Sequence, residues 1–311
     1  MVNTRILEER LGWGAGDGAG RGDRPQPDAK VVPLTDPHHP ERRDIGHEPM
    51  LQGRIGKARI SAKAQAETES RVAEAWQAMP QGATGVQALA ASKGSLHAMD
   101  PQSVAAMALN DLRAQILRVM KEKGWQRIGI TAPQQGSGAT FVAAGLAASV
   151  ARMAAMRVAL VDMNLPDPAL SARLDLPTPP HATDVLRGTL PPAAQMLRIG
   201  QNLAVLTQDG PLHDTADLSL ESDFEPMLDN LHAGLAPDLV IVDLPPLREG
   251  GLARAMLPAL DTVLLVVDGT RNTAADVSEC EAMLEGLVPL MAAVLNKSED
   301  QPARTGRGRR R

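Results

Sequence analysis

Across the middle of the chain, apolar residues gather into short, nearly unbroken runs at Arg127–Thr131, Arg157–Asp162, Leu203–Thr207, Leu239–Asp243, Thr262–Val267 and Leu290–Leu295. Runs this short, rich in Val, Ile and Leu and closed by polar residues, predict strands. Between most of them lie stretches of helical length, Ala139–Met153, Ser222–His232, Gly251–Leu257 and Thr273–Glu285. A further helix is expected over Ser103–Glu122, where Val104, Met107, Leu112, Ile116, Val119 and Met120 recur at helical spacing and Lys-Glu-Lys-Gly ends the pattern. A strand that is apolar on both sides must be covered on both faces, and strands alternating with helices are joined by crossovers. The pattern therefore predicts an α/β domain on a doubly wound, mostly parallel sheet.

Upstream the pattern disappears. Residues 12 to 59 are rich in Gly, Pro and charge, with no sustained apolar period, and cannot offset their ordering entropy by burial. Two short pieces have helical spacing: Arg5–Leu11, and Ala62–Met79 with Val72, Trp76 and Met79 on one face. They are expected as frayed helices of a tail, with docking peptides as the alternative. The predicted organisation is thus a largely disordered region over 1–99, a folded domain over 100–298, and a tail over 299–311 carrying Arg304, Arg307, Arg309, Arg310 and Arg311.

Composition narrows the chemistry. The 311 residues hold two Phe, three Trp and no Tyr, so the core is aliphatic and no tyrosine within them can be modified. A formal charge of −5 argues against nucleic-acid binding through overall charge, and the arginine tail has no aromatic residues for base stacking beside it. The single Cys280 excludes an internal disulfide and suits a reducing cytoplasm. His38, His39 and His47 lack partners at a metal-ligand spacing. No secretory or membrane-spanning stretch is evident, so a cytoplasmic protein is expected.

In a doubly wound sheet ligands sit at the carboxyl ends of the strands, which directs attention to the loop Ala132-Pro-Gln-Gln-Gly136-Ser137-Gly138-Ala139-Thr140. It follows the first central strand and opens a long Ala-rich helix, the context of the phosphate-binding pattern G-x-x-x-x-G-K-[ST]. Gly136, Ser137, Gly138, Ala139 and Thr140 are the candidate nucleotide-binding residues, the amides cradling phosphate and the Thr140 hydroxyl standing where a Mg²⁺ ligand belongs. Ala139 fills the lysine position, and nothing cationic remains in the loop. Two later strands end in acids, Asp162 and Asp243, which suit catalytic and Mg²⁺-holding roles beside Thr140. Asn296, at the end of the last strand, could meet a purine edge or serve only its turn. These features predict a P-loop NTPase-like fold.

From about residue 100 to 298 the chain resembles the bacterial tyrosine kinase family of capsular and exopolysaccharide synthesis. The resemblance rests on Asp100-Pro101 and the helix ending Leu112-Arg113-Ala-Gln-Ile116, on the loop Thr131-Ala-Pro-Gln-Gln-Gly-Ser-Gly, and on Val158-Ala-Leu-Val-Asp162 followed by Pro168-Ala-Leu170. It continues through Ala182-Thr-Asp-Val-Leu-Arg-Gly188 and Val240-Ile-Val-Asp243-Leu-Pro-Pro246. It implies ATP and Mg²⁺ as ligands and a membrane polysaccharide co-polymerase as partner. The departures are specific. The family's loop lysine is Ala139, its Asp-x-Asp-x-Arg pattern reads Asp162-x-Asn164-x-Pro166, and its Glu-x-x-Arg-x-x-Arg oligomer helix reads Met107-x-x-Asn110-x-x-Arg113. Its terminal tyrosine cluster has the arginine tail in its place.

Phosphoryl transfer is mostly positioning and charge stabilisation, so losing the lysine strikes its main term while leaving weak binding in reach. The expectation is a degenerate family member without kinase activity, a regulator or scaffold of polysaccharide synthesis or export. The alternatives are an active ATP-dependent switch of the partitioning or septum-positioning class, with a cation from a partner or neighbouring subunit, and a weakly active protein kinase. The five tail arginines could add roughly 1 kcal/mol each at an anionic leaflet, giving transient peripheral contact through Arg304–Arg311 at the inner face of the plasma membrane.

Overall fold

The computed structural model describes residues 62–83, 103–176, 185–186, 188, 190–208, 210–212 and 220–297. In chain order they form α1 (Ala62–Ala78), β1 (Gln81–Ala83), α2 (Val104–Lys123), β2 (Arg127–Thr131), α3 (Ala139–Ala151), β3 (Val158–Asp162), α4 (Leu170–Leu174), α5 (Pro192–Gln195), β4 (Leu197–Ile199) and β5 (Leu203–Leu206). There follow α6 (Leu220–Leu235), β6 (Leu239–Asp243), α7 (Leu252–Met256), β7 (Thr262–Asp268), α8 (Ala274–Leu284) and β8 (Leu290–Asn296).

The strands make one sheet in the order β1, β4, β5, β3, β6, β2, β7, β8. Every neighbouring pair is parallel except β4 with β5. All six predicted strands form, and β3, β5, β6 and β7 are buried along their whole length. One core packs α2 and α3 on the first face; the other packs α1, α6, α7 and α8 on the second. Cys280 lies in the second core, its thiol pushed up to about 11 by burial.

Local chemistry sets the helix ends. The Ser103 hydroxyl accepts from the Ala106 amide at 3.1 Å to start α2, and Gly124 ends it in the left-handed region at φ 70°. Thr273 and Asp276 form a reciprocal capping box at the start of α8. From Val142 to Ala151 every residue of α3 is buried, and most are small. That smallness lets α2 come close: a Cβ on Gly145 would fall 2.5 Å from Leu109 Cδ1.

The expected boundary at residue 100 is too late. Val72 and Trp76 of α1 and Met79 just after it are 2–3% exposed, the Trp76 indole donates to the Leu235 carbonyl at 2.8 Å, and the Arg157 guanidinium lies 5.8 Å from the Trp76 ring centre. β1 then joins the sheet edge beside β4. The Ala62–Met79 piece is thus a packed element of the domain rather than a frayed helix, because its three large apolar residues share one face and find the second core. β4 and β1, three residues each, were too short for the apolar pattern to announce. The segment 12–59, the Arg5–Leu11 helix, His38, His39, His47, Asp100-Pro101 and the tail Arg304–Arg311 lie outside the described residues.

Candidate functional site

Parallel pairing brings the carboxyl ends of β2, β3, β6 and β7 to one edge, where the Gly loop leaves β2. Gly136 and Gly138 adopt φ of 80° and 102°, a region that L side chains rarely enter. At Gly138 a Cβ would also lie 2.1 Å from Asn296 Nδ2. The turn therefore requires glycine for conformation and for space, and it delivers the chain into the N-terminus of α3.

In front of the loop is a cavity of about 470 Å³. Its lining includes Gln134 through Thr140, Asn164, Asp167, Arg173 and Arg271. Thr140 and Asn164 are each 8% exposed, and Asn164 Oδ1 has no hydrogen-bond partner. A larger trough of about 750 Å³ lies near the start of β8, at the opposite edge of the sheet, walled by Glu281, Leu284, Leu287 and Pro289 among others. No buried unpartnered polar atom belongs to its walls, so the chemistry is at the Gly loop.

Asp162 and Asp243 stand abreast on neighbouring strands, both fully buried just behind the cavity wall. They differ in what they hold. Asp162 accepts from the Asn164 amide at 3.2 Å and from the Leu170 amide at 3.3 Å, so it ties down the loop that carries Asn164 and the start of α4. Both Asp243 oxygens lack a hydrogen-bond partner. The nearby Thr140 hydroxyl favours the charged carboxylate without making a well-formed bond to it. Burial pushes Asp243 up to about 7, against the opposing pull of Thr140 and Arg173. Burial, then the Asp243 charge, raises Asp162 well above the usual carboxylate range. Two such acids resist carrying two full charges unless a cation joins them.

Mg²⁺ prefers oxygen donors and one or two carboxylates, completing its shell with waters and substrate phosphates. Asp243, with two bare oxygens beside the Thr140 hydroxyl, fits that demand. Among the described residues no group of three or more His, Cys, Asp or Glu gathers to hold a metal, which leaves the remaining ligands to phosphate and water.

The loop is braced from several sides. Asn296 donates from Nδ2 to the Ser137 carbonyl at 2.9 Å, and is a strut for the loop outside the cavity lining. The Ser137 hydroxyl donates to the Gln134 carbonyl at 2.8 Å. Lys297 Nζ donates to the Gly136 carbonyl at 2.6 Å and to Asp268 at 2.8 Å, and holds Asp268 down to about 2 although burial acts the other way. The Gln135 side chain donates to Asp167 at 2.7 Å, while its backbone amide donates to Glu249 Oε1 at 2.6 Å. One loop amide is thus already bound to a carboxylate, the kind of partner an anion-binding loop selects.

One expectation needs correcting. The loop itself has no cation, but the fold brings Arg173 from α4 and Arg271 from the turn after β7 to the cavity, and Lys297 to the loop's far side. Arg271 Nη1 lies 3.1 Å from where a Gly136 Cβ would be. The premise that positive charge is missing therefore fails. Sequence reasoning overlooked these residues because no linear motif contains them. The rule applied to β2, β3 and β6, that residues just after strands matter, finds Arg271 once it is extended to β7.

A Gly-rich loop between a central parallel strand and a buried helix, with acids closing the adjacent strands, defines a P-loop NTPase-like protein. No protein-family model matches the chain. It is 26% identical over 212 residues to EpsB of Ralstonia nicotianae (strain ATCC BAA-1114 / GMI1000), a candidate tyrosine-protein kinase; the match covers 68% of this chain and 28% of EpsB. The chain thus spans less than a third of that relative. Its fold is similar to the kinase domain of the Escherichia coli tyrosine kinase ETK, with TM-score 0.60 and 26% identity over 66% of this chain and 80% of that domain. The BceF tyrosine kinase domain shares the fold at TM-score 0.56 and 20% identity, over 73% of this chain and 96% of that one. Sequence and fold together show a likeness to the kinase domains of bacterial tyrosine kinases. No helix among the described residues is long and apolar enough to cross a membrane.

Proposed function

We propose that this chain is a nucleotide-responsive regulator of exopolysaccharide or capsule production, binding Mg²⁺ and ATP at the Gly loop and acting with a membrane polysaccharide co-polymerase on the cytoplasmic side of the plasma membrane. One observation carries the reading: the cavity before the Gly loop is backed by Asp243, a buried carboxylate with both oxygens bare. A buried charge without partners is costly unless a ligand compensates it. Thr140 and Asp243 would hold the metal, Asp162 would keep Asn164 and α4 in place, and the loop amides would receive phosphate. Bound there, Mg²⁺ would neutralise phosphate charge. Self-phosphorylation on tyrosine is closed to a sequence without tyrosine, which favours a switch over a self-modifying kinase.

Calorimetric titration with ATP and Mg²⁺ tests it. Saturable, Mg²⁺-dependent binding is expected, weakened at least about tenfold by Asp243→Ala, with little ATP turnover by the protein alone or with the co-polymerase. Absence of Mg²⁺-dependent binding rejects the reading. Robust turnover abolished by Asp243→Ala would favour the second reading, an active ATP-driven switch, which the arginines at the cavity support.

A further inference from the structure

We propose that Arg173, with Arg271 across the cavity mouth, supplies the positive charge facing the phosphates of a bound nucleoside triphosphate, in the office left open by Ala139. The inference rests on the nucleotide-binding reading and assigns its phosphate-contacting cations.

Four observations bear on it. Arg173 lines the cavity, and its Nε is buried without a hydrogen-bond partner. Its charge acts on the buried Asp243 beside Thr140, which places it on the side where metal and phosphate would sit. Its helix is held from below: Asp162 accepts the Leu170 amide at the first residue of α4, so the acid at the end of β3 positions the arginine one turn further on. Arg271, on the opposite lip, is exposed and makes one long contact, 3.4 Å from Nη1 to the Gln135 carbonyl, which leaves most of its five donors available.

Lys297 is the competing candidate, and its bonds exclude it. Its ammonium is held by Asp268 and the Gly136 carbonyl, and it is not part of the cavity lining. The acid that does line the cavity, Asp167, is bonded by the Gln135 side chain and opposes only one of the two arginine charges. Among the charged side chains that line the cavity the balance is positive, while the buried Asp162 and Asp243 behind it are acids that a metal ion would offset. Arginine also suits the task geometrically, since its planar fork can bind two phosphate oxygens at once.

The test is calorimetry of the full chain with ATP and with AMP, both with Mg²⁺. Arg173→Gln is expected to weaken ATP binding roughly 10- to 100-fold, the usual range for a lost charge-assisted contact. Arg271→Gln, at a wetter position, is expected to weaken it only a few fold. AMP, which lacks the outer phosphates, is expected to change little. Arg173→Lys should recover part of the loss, and Ala139→Lys introduced into Arg173→Gln should restore ATP binding by returning the charge to the loop; thermal melts confirm that each variant is folded. Wild-type binding left unchanged in the Arg173→Gln, Arg271→Gln double variant overturns this assignment while the nucleotide reading stands. Failure of the wild-type chain to bind ATP at all overturns both.

Discussion

The two edges of the sheet use the same residue type for different ends. At the edge where strands begin, Asp261 Oδ2 accepts the amides of Gln126 and Arg127 at 2.7 and 2.8 Å, and Asp238 Oδ2 accepts the Arg157 amide at 2.7 Å. Those carboxylates are satisfied and they tie strand to strand. At the edge where strands finish, β6 ends in Asp243 with two bare oxygens in full burial. One strand thus starts after a structural acid and ends in a destabilising one. A satisfied acid has done its work on folding, whereas an orphaned buried acid stores a cost that a ligand can relieve.

The contrast can be broken by experiments on each edge. The largest effect is expected where α1 docks at the strand-starting edge: Trp76→Ala removes a buried indole and its bond to Leu235, and should destabilise the fold by about 3–5 kcal/mol in urea titrations. ATP affinity should stay unchanged in the fraction that remains folded. Wild-type stability in this variant would mean that α1 is no part of the folding unit.

The opposite edge should show inverse behaviour with pH. The folded pKa of Asp243 is raised to about 7, so between the ordinary carboxylate value near 4 and pH 7 the native state holds a proton that the unfolded chain has lost. In metal-free protein this group's contribution falls as pH rises, by about 1.4 kcal/mol per pH unit, and is flat above pH 7. Asp243→Asn should remove that slope and stabilise the metal-free protein at pH 8, as read by denaturant midpoints. A variant no more stable than wild type at pH 8 would show that Asp243 is not a strained group.

Smaller effects sharpen the same distinction. Asp261→Ala loses two bonds to backbone amides at a half-exposed position and should cost about 1–2 kcal/mol, leaving ATP binding intact. Lys297→Met should cost less, about 1 kcal/mol or under, since the lysine is half-exposed. Its pH signature has the opposite sign to that of Asp243. Asp268 is held down to about 2, so the stability it provides is present above about pH 4 and is lost as pH falls towards 2; removing Lys297 should flatten that acid limb.

Much of the architecture could be read in advance. Strands such as Leu239–Asp243 and Thr262–Asp268 are buried on both faces, and burial on both faces leaves an unbroken apolar run in the sequence. The Gly loop was legible too, because glycines at the start of a helix have a short-range steric cause. α1 was undervalued: its apolar stripe is short, and only its partner surface on α6 and the sheet makes it a packed element. At the site, Asp162, Asp243 and Thr140 were named from their positions after the strands and in the Gly loop, and the structure brings them together, but what each of them bonds to was not legible. Asp162 accepts from the amides of residues 164 and 170, the Asp243 carboxylate has no hydrogen-bond partner, and Asn296 braces Ser137 instead of lining the cavity.

By itself, then, the amino-acid order determined the alternation of strand and helix, the glycine turn and the absence of a lysine within it, all of which depend on neighbours a few residues apart. Only the tertiary structure decided which charges surround that turn. Arg173 and Arg271 are far from the loop along the chain, and parallel crossovers bring them to its mouth by stacking the ends of β2, β3, β6 and β7 on one edge. Electrostatics acts through space, so a missing cation in a motif is no measure of the charge at the folded site.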